Sequence, residues 1–178
     1  MDTSPYYYRR QNCTARQKGM IVRKKLLILA TLLSAGPACG SETTGALDDL
    51  FMYATSLVDT RYHSGGASPD TGLDCSGFVR HVYLQTTHLE LPRTAADMSH
   101  TGQPVDQTKL MPGDLVFFST RQRSFSHVGI YLGENRFIHA SSSTTGRVLI
   151  SDILDRYWAS HYAGARRIVD AFSSSSQP

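Results

Sequence analysis

The spacing of apolar residues changes once along this chain, and that change limits the folds open to it. Leu47, Leu50, Phe51, Ala54, Leu57 and Val58 recur at helical intervals and predict a first amphipathic helix. Phe78, Val79, Val82 and Tyr83 mark a second helix, with Asp74 as its candidate N-cap. Thr94 is placed to cap a short third helix that stops before Gly102. The pattern then turns to short β-rich segments: Leu115 to Phe118, His127 to Leu132, Phe137 to Ala140, Val148 to Ile150, and Ala165 to Val169 as a candidate last strand. Helices first and antiparallel strands later predict one α+β domain, its N-terminal helices packed on a small curled antiparallel sheet. His63 to Gly72 carries enough Gly and Pro to predict a loop without regular structure. Asp152 to Tyr162 fits neither period, and its Tyr157 and Trp158 are expected to pack on the sheet.

The formal charge of +3 over 178 residues raises nucleic-acid binding as a function class. The distribution of charge argues against it. Residues 1–38 hold seven basic side chains and one acid, whereas residues 39–178 hold eleven and fourteen, a net −3. The basic residues belong to a leader. Arg23, Lys24 and Lys25 precede the apolar run Leu26 to Leu33, and Ser34, Ala35, Gly36, Pro37 and Ala38 follow. That order is the one of a secretory signal peptide, and the apolar run is too short to span a bilayer.

Residues 20–38 are therefore expected to be the signal peptide, with Met20 as the start and 1–19 a misannotated upstream extension; an unusually long basic region is the alternative. Two readings of the leader's end stay open. Cys39 is either a lipidated N-terminal residue, which would tether the protein to a membrane, or the first residue left unmodified by ordinary signal-peptidase cleavage after Ala38, with Gly36 and Ala38 as the small residues. Gly36 stands where lipoprotein sites usually carry a Leu-like residue. Export to the periplasm or cell envelope follows on both readings. Residues 39–45 read as a linker, 46–170 as the catalytic domain and 171–178 as a disordered Ser-rich tail.

Within the exported part, Cys75 stands at the first turn of the second helix, in Asp74-Cys75-Ser76-Gly77. Free N–H groups and the positive helix end there are expected to lower the thiol pKa and make it a nucleophile. A buried structural cysteine is the plain alternative. Two histidines strengthen the nucleophile reading: His127 opens one predicted strand and His139 lies in the next, with Gly133 to Arg136 as the turn between. A connecting loop with an odd number of residues would set them opposite each other on one face, and a two- or four-residue loop would break that pairing. The expectation is an odd loop. His127 would then be general base and acid, and His139 would orient it. Cys, His and His are also good zinc ligands. No fourth ligand, HExxH or paired CxxC spacing accompanies them, so neither metal nor cofactor is expected.

These motifs together resemble the NlpC-type family of exported bacterial cysteine endopeptidases, and within it the Spr-like (MepS) murein endopeptidase branch. The matching segments are Arg61-Tyr62, Gly65-Gly66, Asp74 to Val79, Leu91-Pro92-Arg93, Pro112 to Phe118, His127 to Gly133, Phe137 to Ser141, Tyr157-Trp158 and Ala165 to Ile168. They run in family order over about Leu47 to Val169. The resemblance implies a papain-like core. It implies Cys75 as nucleophile, His127 as base and His139 as third member. It further implies that the Tyr62 hydroxyl helps the oxyanion, with simple packing as its alternative. Asp74 and Ser76 are implied to touch substrate, though each also suits a helix cap. Arg93 is implied either to pair with a stem-peptide carboxylate or to bridge loops. The implied partner is peptidoglycan, cut at a stem-peptide or cross-link amide by a monomeric enzyme with no nucleic-acid partner. Arg121 to Ser126 departs from the pattern and reads as a polar, substrate-facing loop. A non-catalytic wall-binding module, an acyl or amide transferase and an antibacterial or phage hydrolase are the rival classes.

Overall fold

The computed structural model describes residues 42–120, 123–142 and 145–168. The expected signal peptide, the extension before it, Cys39 and the tail after 170 lie outside those residues. Helix α1 spans Glu42–Ser56, so it starts inside the segment expected to be a linker up to Gly45. A helix anchored by its buried Leu50 and Ala54 gains one hydrogen bond per residue added, which offsets the roughly 1 kcal/mol cost of Gly45.

Strands β1 (Ala67–Ser68) and β2 (Gly72–Leu73) form a two-stranded hairpin within the stretch expected to be loop alone. Helix α2 follows at Cys75–Thr87, and Asp74 is its N-cap, accepting the Gly77 N–H at 2.7 Å. Helix α3 spans Ala95–Met98 and is capped by Thr94, which accepts the Asp97 N–H at 3.1 Å. The remaining elements are β3 (Gln103–Val105), β4 (Leu115–Phe118), β5 (His127–Gly133), β6 (Arg136–Ala140), β7 (Val148–Asp152), α4 (Arg156–His161) and β8 (Tyr162–Arg167).

Six strands make one antiparallel sheet in the order β3-β8-β4-β5-β6-β7. Alternation along β4 divides the core. Leu115 and Phe117 face α1 and α2, packing with Phe78, Val79, Val82, Val128, Ile130 and Ile138. Val116 and Phe118 face the other way, with Tyr131, Phe137 and Ile153, under Trp158 of α4. Each fully buried Val, Leu, Ile or Phe contributes roughly 1.5–3 kcal/mol of apolar transfer energy.

A buried carboxylate closes the sheet's start. Asp114 is 1% exposed, and it accepts two bonds of 2.8 Å from Arg167 Nε and Nη2 and one of 2.7 Å from the Met111 N–H. The Pro112-Gly113-Asp114 motif is thereby a joint between β4 and β8. Removing Arg167 would leave the buried carboxylate short of partners and cost about 1–3 kcal/mol, less than for a fully buried pair because Arg167 is itself partly exposed.

The β5–β6 connection differs from the expected odd loop. Gly133 pairs with Arg136, leaving a two-residue turn in which Glu134 and Asn135 both have positive φ, 50° and 61°. Left alone, that turn would put His127 and His139 on opposite faces. A bulge between Tyr131 and Gly133 shifts the register by one, so that Tyr131 pairs with Phe137 and Ile130 with Ile138. The extra residue restores the parity, and both histidines return to one face.

Candidate active site

Cys75 enters the site through the geometry of the loop before it. Asp74 accepts five hydrogen bonds: from the Gly77 N–H, the Ser76 hydroxyl and Arg93 on Oδ1, and from the Gly65 N–H and Arg93 on Oδ2. Arg93 also donates to Ser76 Oγ at 2.9 Å and to the Gly66 carbonyl at 3.3 Å. Loop and helix touch directly at Gly77, where a Cβ would sit 2.0 Å from the Gly66 carbonyl oxygen. Only glycine lets the two backbones approach this closely. Asp74, Ser76 and Arg93 are thus the clamp that fixes the α2 N-terminus. Of the two readings of Arg93, its described contacts are those of a loop bridge.

Cys75 is half-buried and packs against the helix-side core. It opens with Tyr62, Asp74 and Ser76 into a cavity of about 590 Å³, closed on the far side by Arg123, Ser124, Phe125 and Ser126. The Arg121 to Ser126 departure therefore contributes Arg123 to Ser126 to this wall, while Arg121 and Gln122 lie outside the described residues.

The expected lowering of the thiol pKa is not what the surroundings produce. Burial pushes the Cys75 thiol up, and the Asp74 carboxylate pushes it further the same way. The N–H groups of Val128, Ser76 and Cys75 pull it down, but less. The amides expected from the helix end are present. They are outweighed by desolvation and by the very carboxylate that caps the helix. A thiol so placed is held protonated and needs a base.

The Val128 N–H that bonds the Cys75 sulfur belongs to the residue after His127. Val128 points into the helix-side core, and His127 therefore points to the opposite face. There His127 Nε2 lies 2.9 Å from His139 Nδ1. Both rings are buried, 7% and 0% exposed. Trp158 stacks on His127 at 5.4 Å and 27°, Phe137 stacks on His139 at 4.8 Å and 22°, and Trp158 meets His139 edge-on at 4.8 Å. Burial, then the neighbouring His127, holds the His139 pKa well below its ordinary value, so His139 is neutral.

The remaining nitrogen of His139, Nε2, lies 2.9 Å from Ser151 Oγ on β7. A second cavity of about 370 Å³ opens on this side, lined by His127, His139, Leu149, Ser151, Tyr157 and Trp158 among others. Two nitrogens of the histidine pair are engaged with each other rather than turned to a common metal. Among the described residues no group of three His, Cys, Asp or Glu side chains is placed to hold a metal ion.

Sequence reasoning missed two members of this surround. Trp158 was expected to pack on the sheet, and it does, but what it covers is the histidine pair. Ser151 fell just beyond the predicted strand end at Ile150, and one more step of alternation from Leu149 would have found it. Asp152 to Tyr162, which matched no period, holds the end of β7, a turn and the six-residue α4.

The arrangement holds a thiol at a cavity wall and, across the Val128 amide, a buried imidazole pair whose His139 member is neutral. Comparison with known proteins agrees with the motifs. The model of the NlpC/P60 family matches residues 59–167. The murein DD-endopeptidase MepH of Escherichia coli K12 is 36% identical over 164 residues, which cover 89% of this chain and 59% of that protein. The murein DD-endopeptidase MepS/murein LD-carboxypeptidase of the same organism is 42% identical over 148 residues, 74% of this chain and 77% of its own. The crystal structure of an NlpC/P60 family protein from Bacillus cereus superposes with a TM-score of 0.64 at 33% identity, covering 68% of this chain and 40% of that one. The chain thus spans about three fifths of MepH and a smaller part of the Bacillus cereus protein.

Proposed function

The chain belongs to the NlpC/P60 family, and on that premise we propose that it is a thiol endopeptidase hydrolysing amide bonds in peptidoglycan stem peptides or their cross-links. The observation that carries this reading is the hydrogen-bonded pair His127–His139 next to the amide that bonds Cys75. In the proposed reaction His127 takes the proton of the Cys75 thiol, and the sulfur attacks the scissile carbonyl carbon. Backbone N–H groups around Cys75, with the Tyr62 hydroxyl, would stabilise the oxyanion. Collapse of the tetrahedral intermediate breaks the C–N bond, and His127 gives its proton to the leaving amine. Water, deprotonated by His127, then attacks the thioester, releasing a carboxylate and restoring the thiol.

His139 is assigned the orienting role. A neutral imidazole there accepts a hydrogen bond from protonated His127 without adding a second charge. Asp74, Ser76 and Arg93 serve in this reading to fix the nucleophile, and Asp74 and Ser76 also border the cavity that would take the peptide. The basic, apolar and small-residue order of 23–38 supports export, with Cys39 as the candidate tether to the envelope membrane.

Purified sacculi digested by wild-type protein and by Cys75→Ala, with products read by mass spectrometry, test the proposal. Cleaved cross-links or shortened stems are expected from the wild type alone. Undiminished cleavage by Cys75→Ala would overturn it, as would an inactive wild type that still binds sacculi.

A further inference from the structure

The histidine pair does not end at His139. Its Nε2 faces Ser151 Oγ at 2.9 Å, and its Nδ1 faces His127 Nε2 at the same distance. We infer that Ser151 is a positioning residue: its Oγ accepts the Nε2–H of His139 and so holds His139 in the tautomer whose bare Nδ1 accepts the Nε2–H of His127. The inference rests on the proposed role of His127 as base.

Hydrogen-bond inventory forces the direction. Once His127 has taken a proton, both of its nitrogens carry hydrogen, and Nε2–H needs an acceptor. His139 Nδ1 faces that hydrogen at 2.9 Å, and two N–H groups cannot point at each other across such a gap, so His139 Nδ1 must be bare. A neutral imidazole carries its single hydrogen on the other nitrogen, which places it on Nε2, facing Ser151. The opposite tautomer would set N–H against N–H at 2.9 Å. It would also put the hydrogen of resting His127 on Nδ1, leaving that nitrogen no lone pair to accept a proton.

Register delivers Ser151 to this place. His139 pairs with Leu149 on β7, and Ser151 pairs with Phe137, so Ser151 shares the face of His139 one diagonal step away. Five consecutive pairs, Arg136–Asp152 to Ala140–Val148, fix that offset. Serine suits the position because its oxygen accepts while its own hydrogen can turn into the 370 Å³ cavity that it lines. Burial of His139 agrees with the assignment, since it keeps the ring neutral throughout.

Ser151→Thr and Ser151→Val test this, because the two side chains share a shape and differ only in the hydroxyl. Two readouts need no peptidoglycan, so failure here is separable from failure of the hydrolase reading: side-chain 15N shifts of His127 and His139, and the rate of Cys75 alkylation by iodoacetamide at neutral pH. The wild type and Ser151→Thr are expected to show hydrogen on Nε2 of both rings and alkylation within about twofold of each other. Ser151→Val is expected to lose the fixed His139 tautomer and to alkylate about five- to tenfold more slowly. Hydrogen on His139 Nδ1 in the wild type overturns the inference. So does equal alkylation by the Thr and Val variants, whether unchanged or equally reduced, since either marks shape rather than the hydroxyl.

Discussion

Gly129, not His127, stands opposite His139. Ile130 pairs with Ile138 and Tyr131 with Phe137, which sets His127 one diagonal step from its partner ring. A Cβ at Gly129 would lie 2.7 Å from Phe137 Cδ2, 2.8 Å from the Ile138 carbonyl oxygen and 3.1 Å from His139 Cβ. The empty position is what lets the two imidazoles meet across it.

Gly129→Ala should therefore act on both stability and rate. Overpacking of this kind costs about 1–3 kcal/mol. Because His139 is one of the displaced neighbours, the loss in kcat should exceed that of a control such as Gly45→Ala, at a site with nothing within 4 Å of the added methyl. Urea denaturation and single-turnover cleavage give the two numbers. A variant stable and active as the wild type would mean that the strands part without moving His139.

Acid should unfold the protein partly through His139. Its pKa is lowered in the folded state, so below about 6.5 the unfolded chain binds a proton that the folded one refuses. The stabilising contribution is intact above the unfolded pKa. It is lost as pH falls through 6.5 toward the lowered value, with a slope approaching about 1.4 kcal/mol per pH unit for one proton. His139→Asn should flatten that part of the curve. Urea midpoints between pH 7 and pH 5 for both proteins check the sign and the size.

Asp74 both caps α2 and opposes the Cys75 thiolate. Asp74→Asn keeps a side-chain oxygen for the Gly77 N–H but removes the charge. The thiol pKa should move down, so alkylation of Cys75 should speed up at any pH below it. Stability should fall by about 1–2 kcal/mol, because the bonds from Arg93 lose their charge assistance. Iodoacetamide kinetics across pH read the first effect, and thermal melting the second. A pH profile shifted upward would contradict the assigned influence of the carboxylate.

Trp158→Ala should uncover the histidine pair. The indole stacks on His127 and stands edge-on to His139, so removing it admits water to both rings. The His139 pKa should rise toward its ordinary value as burial is relieved, and kcat should fall more than KM changes. Histidine titration by NMR and steady-state kinetics on one muropeptide measure these shifts. An unchanged His139 titration would show that the sheet alone keeps the ring dry.

The order of helices and strands, the Asp74 and Thr94 caps and the placing of Cys75 on a helix start were legible because each rests on local chemistry. The β5–β6 register was not. Its turn places Glu134 in the left-handed region without the usual Asn-Gly signal, and the compensating bulge leaves the apolar alternation of Val128, Ile130 and Leu132 intact. The thiol's raised pKa was equally hidden, because it depends on burial and on which of several nearby groups lies closest. Ser151 and Trp158 reach the site through long-range pairing, which local patterns do not carry. The β3–β8 pairing, which joins Gln103 to Arg167 across about half of the domain, was beyond reach for the same reason.

The thiol and the imidazole pair belong to opposite faces of one sheet, joined where the Val128 amide meets the sulfur. Neither layer holds a complete reacting set by itself. A chain whose helices have formed but not yet settled onto β5 has a thiol without its base, and a sheet that has closed around its histidines alone has a base without its thiol. Onset of amide cleavage during refolding is therefore expected to timestamp the docking of the two layers, and would make the active site a built-in probe of assembly.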